Sequence, residues 1–191
     1  MGFLGLFGKS KNSEEESLPK NEVEQWVTST YALWSEYCGG SRKYIGGYRK
    51  NRANASMMRG VLRRDWLISD HDEGVEMAEY LLNEKSHIGE AEQPAAWDYC
   101  RTCQLAGMFY VAGYMERQET MELSVKAARI MQQNYRSWDE LIISYIEGYT
   151  QWRKEEGGNA EEEIRERNEL YRKLKAIPDG PYSLPWELLI I

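Results

Sequence analysis

The chain has 191 residues, with 24 Lys and Arg against 31 Asp and Glu for a formal charge of −7, and 42% of its residues are hydrophobic. That length suits one domain with tails, the apolar share suffices for a core, and the acidic balance argues against generic affinity for nucleic acid. A mean hydropathy of −0.69 accompanies no apolar run of the roughly 18–20 residues that a membrane-spanning helix needs, and an odd count of three cysteines does not read as a disulfide framework.

In chain order, residues 1–20 read as a flexible arm: an apolar tip, Met1–Phe7, then a Lys/Ser/Asn/Glu spacer ending near Pro19. The tip is too short for a signal-peptide core, and a weak membrane-surface or partner contact is one use for it. A helical domain follows over 21–177. Asn21 is placed to cap a first helix carrying Val23, Trp26, Thr30, Leu33, Trp34 and Tyr37 at helical spacing, closed by Gly39-Gly40. Tyr44–Tyr48 reads as a loop around Gly46-Gly47. A basic helix is expected over Lys50–Arg64, and Ser69 with Asp72 has the spacing of a capping box for a third helix.

After a polar loop over Glu84–Gln93, Pro94 suits the first turn of a fourth helix. That helix runs to Gly113 and is apolar on every side beyond Leu105, which is the pattern of a central, buried helix. A fifth helix spans Arg117–Tyr135. Ser137 and Glu140 form a capping box for a sixth, whose stripe is Trp138, Leu141, Ile142, Tyr145, Tyr149 and Trp152. Gly157-Gly158 ends it, and Asn159 caps a seventh with Ile164, Tyr171 and Leu174 inward. Pro178–Pro181 turns the chain into an apolar tail within 178–191, for which docking on the same molecule or on a neighbour are both open. No period-2 segment of useful length appears, so the expected fold is all-α: one compact domain of six to seven helices around a central apolar helix.

The residues offering chemistry sit mainly on the fourth helix. Asp98 and Arg101 are the only charged residues between Pro94 and Met115, and their i, i+3 spacing allows an ion pair. A charged pair on a buried helix must be neutralised, hydrogen-bonded or at the floor of a cleft. Two readings stay open: an anion-binding Arg101 oriented by Asp98, or a structural pair fixing how helices meet. Cys100-Arg101-Thr102-Cys103 is a C-x-x-C. It lies inside a helix with no strand before it, and zinc would need Cys38 with His71 or His87 to complete four ligands. No metal or cofactor is expected. From Arg42 to Arg64 there are eight basic residues and no acidic one, which suits an acidic partner or packing against acidic helices of the same domain.

Ala96-Trp97-Asp98-x-x-Arg101, Leu105, Gly113-Tyr114 and Glu119, followed by Ser137-Trp138, Tyr145, Gly148 and Trp152, resemble the signature of the bacterial family catalogued as domain of unknown function 1266. Asp65-Trp66-x-Ile68-Ser69 fits the same pattern, and the resemblance covers roughly Trp26–Arg153. It implies a helical domain of bacterial origin and no established activity. Nucleophile elbows, P-loops, H-E-x-x-H and dinucleotide fingerprints are absent. The reading that follows is a cytoplasmic protein-interaction or regulatory domain, binding an unknown protein partner or a small anion around Trp97, Asp98, Arg101, Trp138, Tyr145 and Trp152. The alternative is an enzyme using Asp98 as acid/base and Arg101 as anion clamp.

Overall fold

A computed structural model describes residues 14–84, 96–157 and 161–190, and among these the chain is helical throughout and forms no strand. The expected positions of Met1–Phe7, His87, Pro94, Gly158 and Asn159 lie outside the described residues. After a helical turn at 14–17, eight longer α-helices follow in order among the described residues: α1 Glu22–Thr30, α2 Ala32–Tyr37, α3 Arg52–Val61, α4 His71–Glu79, α5 Ala96–Ala112, α6 Arg117–Asn134, α7 Trp138–Glu155 and α8 Glu161–Lys175. A 3-10 turn covers Ile45–Gly47, and π-helical turns cover Leu62–Trp66 and Tyr80–Glu84.

The helix count exceeds the expected six to seven, in part because the first expected helix is two. Thr28 and Ser29 donate their hydroxyls to the carbonyl of Gln25, and Thr30 donates to that of Val27. Three consecutive back-bonding hydroxyls bend a helix, and the break falls at Tyr31, with φ −119° and ψ 16°. The third expected helix starts one residue later than the Ser69/Asp72 spacing indicates. Asp70 is the cap, accepting from the Glu73 amide at 3.1 Å, while the Glu73 carboxylate accepts from the Ser69 amide at 2.6 Å. The Ser137 cap of α7 stands as expected, accepting from the Glu140 amide at 3.2 Å.

α5 is the axis of the fold. It touches α1, α3, α4, α6, α7, the 3-10 turn and the second π turn, and every one of its residues but Arg101 is buried. Apolar side chains pack on it from two sides. One cluster gathers Trp26, Trp138, Trp186, Met131 and Ile142; the other gathers Met58, Leu62, Ile68, Phe109 and Met115. The 3-10 turn reaches α5 through two facing glycines. Gly46 has φ +69°, its amide donates to the Tyr31 hydroxyl at 3.1 Å, and a Cβ there would lie 2.2 Å from the Gly107 carbonyl oxygen.

The first and last described segments are held by side chains of α5, α6 and α7. Tyr110 and Arg117 donate to the Glu16 carbonyl at 2.6 and 2.9 Å, and Arg117 donates again to Leu18 at 2.7 Å. Arg117 also forms a two-point pair with the Glu24 carboxylate. The C-terminal tail docks on its own molecule. Arg129 holds the Ile190 carbonyl at 3.0 Å, Gln132 holds those of Trp186 and Leu188, and the Trp138 indole N–H holds that of Leu184.

Gly46→Ala is expected to lose roughly 1–3 kcal/mol to overpacking, with about 1–2 kcal/mol more from its left-handed backbone. Gly60 lies in the exposed interior of α3, where a Cβ meets nothing within 4 Å, so Gly60→Ala is expected to gain about 0.5–1 kcal/mol. Urea denaturation of the two variants checks both signs.

Candidate functional site

Trp97, Asp98 and Arg101 occupy the first turns of α5, at spacings that put all three on one side of the helix. The Arg101 guanidinium lies between two indoles, its central carbon 4.7 Å from the Trp66 ring centre and 4.9 Å from that of Trp97. Trp66 is supplied by the first π turn, which closes α3. Asp98 Oδ1 accepts from Arg101 Nη1 at 3.4 Å, and the Asp98 carbonyl accepts from the Thr102 hydroxyl at 3.0 Å. The two side chains differ in burial: Arg101 is 19% exposed and Asp98 only 3%. Burial lowers the pKa of Arg101, with the Asp98 carboxylate acting against it, and a guanidinium stays charged under that load. Asp98 accepts one of the five N–H donors of Arg101, and the others have no acceptor among the described residues.

On its other side Trp97 meets α7. Tyr145 lies 5.0 Å away, Tyr149 5.7 Å, and Trp152 stacks at 6.1 Å with 28° between the planes. Trp152 is 38% exposed and carries this aromatic ledge to the surface. Beyond Tyr149 the pattern repeats: the Arg167 guanidinium of α8 sits 3.7 Å from the ring centres of both Tyr149 and Tyr37. The Tyr149 hydroxyl donates to the Glu163 carboxylate, which also pairs with Arg153 at 3.2 Å. The result is an alternating stack, Trp66–Arg101–Trp97–Tyr149–Arg167–Tyr37, that joins the first π turn, α5, α7, α8 and α2.

Of the residues singled out in the sequence, Trp97, Asp98, Arg101, Tyr145 and Trp152 come together here. Trp138 does not. It belongs to a second aromatic group at the start of α7, 4.7 Å from Trp26, 5.1 Å from Trp186 and 5.5 Å from Tyr182. Trp66, Tyr149, Arg167 and Tyr37 were absent from the candidate set. The first two stood in noticed patterns, an upstream Asp-Trp and the α7 stripe, whereas nothing local in the sequence joins Arg167 to Tyr37.

The C-x-x-C thiols face the core. Cys100 donates toward the Met131 sulfur at 3.9 Å and Cys103 toward the Ser124 carbonyl at 3.6 Å. Burial pushes both thiols up, that of Cys103 to about 12. Among the described residues no three His, Cys, Asp or Glu side chains converge into a set that could hold a metal ion.

Much of the basic segment is anchored to its own domain. Arg42 pairs with Glu36 at 3.5 Å, Arg49 with Glu14 at 2.9 Å and Lys50 with Glu116 at 3.8 Å, while Arg59 donates to the Ala112 carbonyl at 2.7 Å. His71, opening α4, bridges Asp72 at 2.8 Å and Glu119 of α6 at 2.6 Å.

A family-wide sequence profile matches residues 86–186, a little over half of the chain. The chain belongs to the family described as protein of unknown function, DUF1266. Neither a curated protein nor a solved structure matches it. The matched range ends at Trp186, further on than Arg153, the last residue of the resemblance in the sequence, and it begins after Trp66. Several DUF1266-like positions have plain structural duties. The Ala96 amide donates to the Tyr135 hydroxyl at 2.9 Å, and Gly113, at φ +78°, ends α5 by letting the Tyr114 amide return to the Phe109 carbonyl. Gly148 is buried on α7. Among the described residues no helix is long and apolar enough to cross a membrane.

Two measurements follow from these contacts. Hydrogen bonds from Asp72, then Glu119, raise the pKa of His71. A raised folded-state pKa gives stability that is fully present below the unfolded value of about 6.5 and is lost as pH rises through the higher folded value. The stability gap between the native protein and His71→Gln is therefore expected to be wide at about pH 5.5 and to close by about pH 8.5, as read by urea melts at each pH. In thiol labelling of the folded protein, the exposed Cys38 is expected to react first, with Cys100 and Cys103 reacting only on unfolding.

Proposed function

We propose that this domain is a binding module whose site is centred on Arg101, and that the site receives an anionic group, a carboxylate or phosphate, presented by a partner. The observation that carries this reading is the state of Arg101. It is the one residue of the central helix that is not buried, it lies between two indoles, and most of its donors meet no acceptor among the described residues. A guanidinium fixed in this way has lost its rotamer entropy before a ligand arrives, so less is given up on binding. Planar, forked N–H donors match carboxylate and phosphate oxygens two at a time. The exposed Trp152 beside Trp97 offers an apolar and aromatic shelf for the rest of the partner.

Asp98 supports this reading better than it supports catalysis. Its side chain is buried and pairs with Arg101, where a carboxylate orients the guanidinium and offsets its charge. General acid or base work calls for a group within reach of a substrate proton, and this carboxylate is buried.

The test uses acetate and inorganic phosphate as probes, with the indole N–H signals of the tryptophans as readout. Both anions are expected to shift the Trp66 and Trp97 signals at millimolar concentration. Arg101→Lys, which keeps the charge but removes the fork, is expected to weaken the effect about tenfold while leaving the melting temperature within a few degrees. An unchanged titration in Arg101→Lys, or no shift of those two indoles in the native protein, overturns the reading.

A further inference from the structure

α3 and α4 carry opposite charges, and each leaves its outer face uncovered. Over Arg42–Arg64 the chain has eight basic residues and no acidic one, whereas α4 has Asp72, Glu73, Glu76 and Glu79 and no Lys or Arg. On α3 and its closing π turn, Arg52 and Arg63 stand about three turns apart on one exposed face. Neither forms an ion pair among the described residues. Met57 is exposed on the same helix, and at Gly60 the surface is open, since a Cβ there would meet nothing within 4 Å.

On the other side of the first π turn lies a groove of about 580 Å³ lined by Trp66, Leu67, Met77 and Tyr80 together with Glu73, Glu76 and Glu79. The Glu73 carboxylate is engaged with the Ser69 amide, and none of the three forms an ion pair among the described residues. Among the described residues no Lys or Arg lines this groove. The two helices do not neutralise one another within the chain, because each leans on α5 rather than on its neighbour.

Leu67 sits between the two charged faces. It is 82% exposed, and its φ of 59° is left-handed, a conformation that costs an L-residue with a branched side chain and that glycine adopts freely. A large apolar side chain held outward on strained backbone is the kind of feature that persists where something covers it.

We propose that the acidic groove along α4 receives the basic outer face of α3 from a second copy of this chain, in a two-fold dimer. Two-fold symmetry makes the contact reciprocal: α3 of each copy lies on α4 of the other, and Leu67, which lies between the two helices in each chain, falls near the axis. Apolar contact through Leu67, Met57 and Tyr80 supplies most of the affinity, and the opposed charges set register and partner choice. Exposed pairs of this kind are screened by salt, so the dimer weakens as ionic strength rises.

The experiment is light scattering of the full chain across a concentration series at low and high salt. The native protein is expected to be dimeric at low salt and to dissociate as salt is added. Glu76→Lys/Glu79→Lys and Arg52→Glu/Arg63→Glu place like charges across both contacts, and each variant is expected to weaken dimerisation by at least about tenfold. Mixing the two variants sets native α3 against native α4 at one contact and reversed α3 against reversed α4 at the other, so opposite charges meet at both and a mixed dimer is expected to form. All four substituted residues are exposed, and circular dichroism with thermal melting checks that each variant is folded. Leu67→Gly relieves the backbone and is expected to raise the melting temperature of the monomer while weakening the dimer. A native protein that is monomeric at every concentration overturns the proposal, as does a dimer indifferent to both reversals or a mixture that stays monomeric. The readout is mass rather than anion binding, so this result stands or falls apart from the proposal for Arg101.

Discussion

Cation–π stacking ties this fold together across its two apolar clusters, with Trp66 packed against one and Trp97 within the other. Two guanidinium groups, Arg101 and Arg167, each lie between two aromatic rings, and Trp97 and Tyr149 make the link between them. Such contacts are worth about 0.5–1 kcal/mol at exposed sites and about 2 kcal/mol or more when desolvated. The stack spans five elements, so a shift in one is felt by all. It also explains how a charged residue is tolerated on a helix that is otherwise buried: the faces of Arg101 are shielded by rings and its edge remains open to solvent and to Asp98.

The legible part of the fold was the part written in local pattern. The apolar run of α5, the Ser137 cap and the AWDxxR cluster all depend on residues within a turn or two of one another, and each stands where the sequence put it. Ser69 and Asp72 show how close alternatives mislead: Asp70 and Glu73 have the same spacing one residue along, and a carboxylate cap with a returning carboxylate won. The break at Tyr31 was hidden for another reason. Thr28, Ser29 and Thr30 are compatible with a helix one at a time, and only their summed back-bonding bends it.

The candidate site was half legible for reasons of length. Trp138 and Trp152 lie on one stripe of α7, but 14 residues of helix separate them by about 21 Å, so the two ends of the stripe meet different neighbours. Trp138 finds Trp26 and the C-terminal tail, and Trp152 finds Trp97. The pairing of Arg167 with Tyr37 is purely tertiary, made where α8 comes to rest on α2. No periodicity within either helix encodes it.

The grip of α5 and α6 on the N-terminal segment has a consequence for the order of events during synthesis. Tyr110 and Arg117, which hold the carbonyls of Glu16 and Leu18, lie 94 to 101 residues further along the chain. At elongation rates of about 5–20 residues per second, the early segment waits on the order of 5–20 seconds before its anchors exist. During that interval α1 has been made, but the carboxylate of Glu24 has no guanidinium to meet. The N-terminal segment is therefore made long before it can be fastened, and it closes over a body whose central helix is already complete.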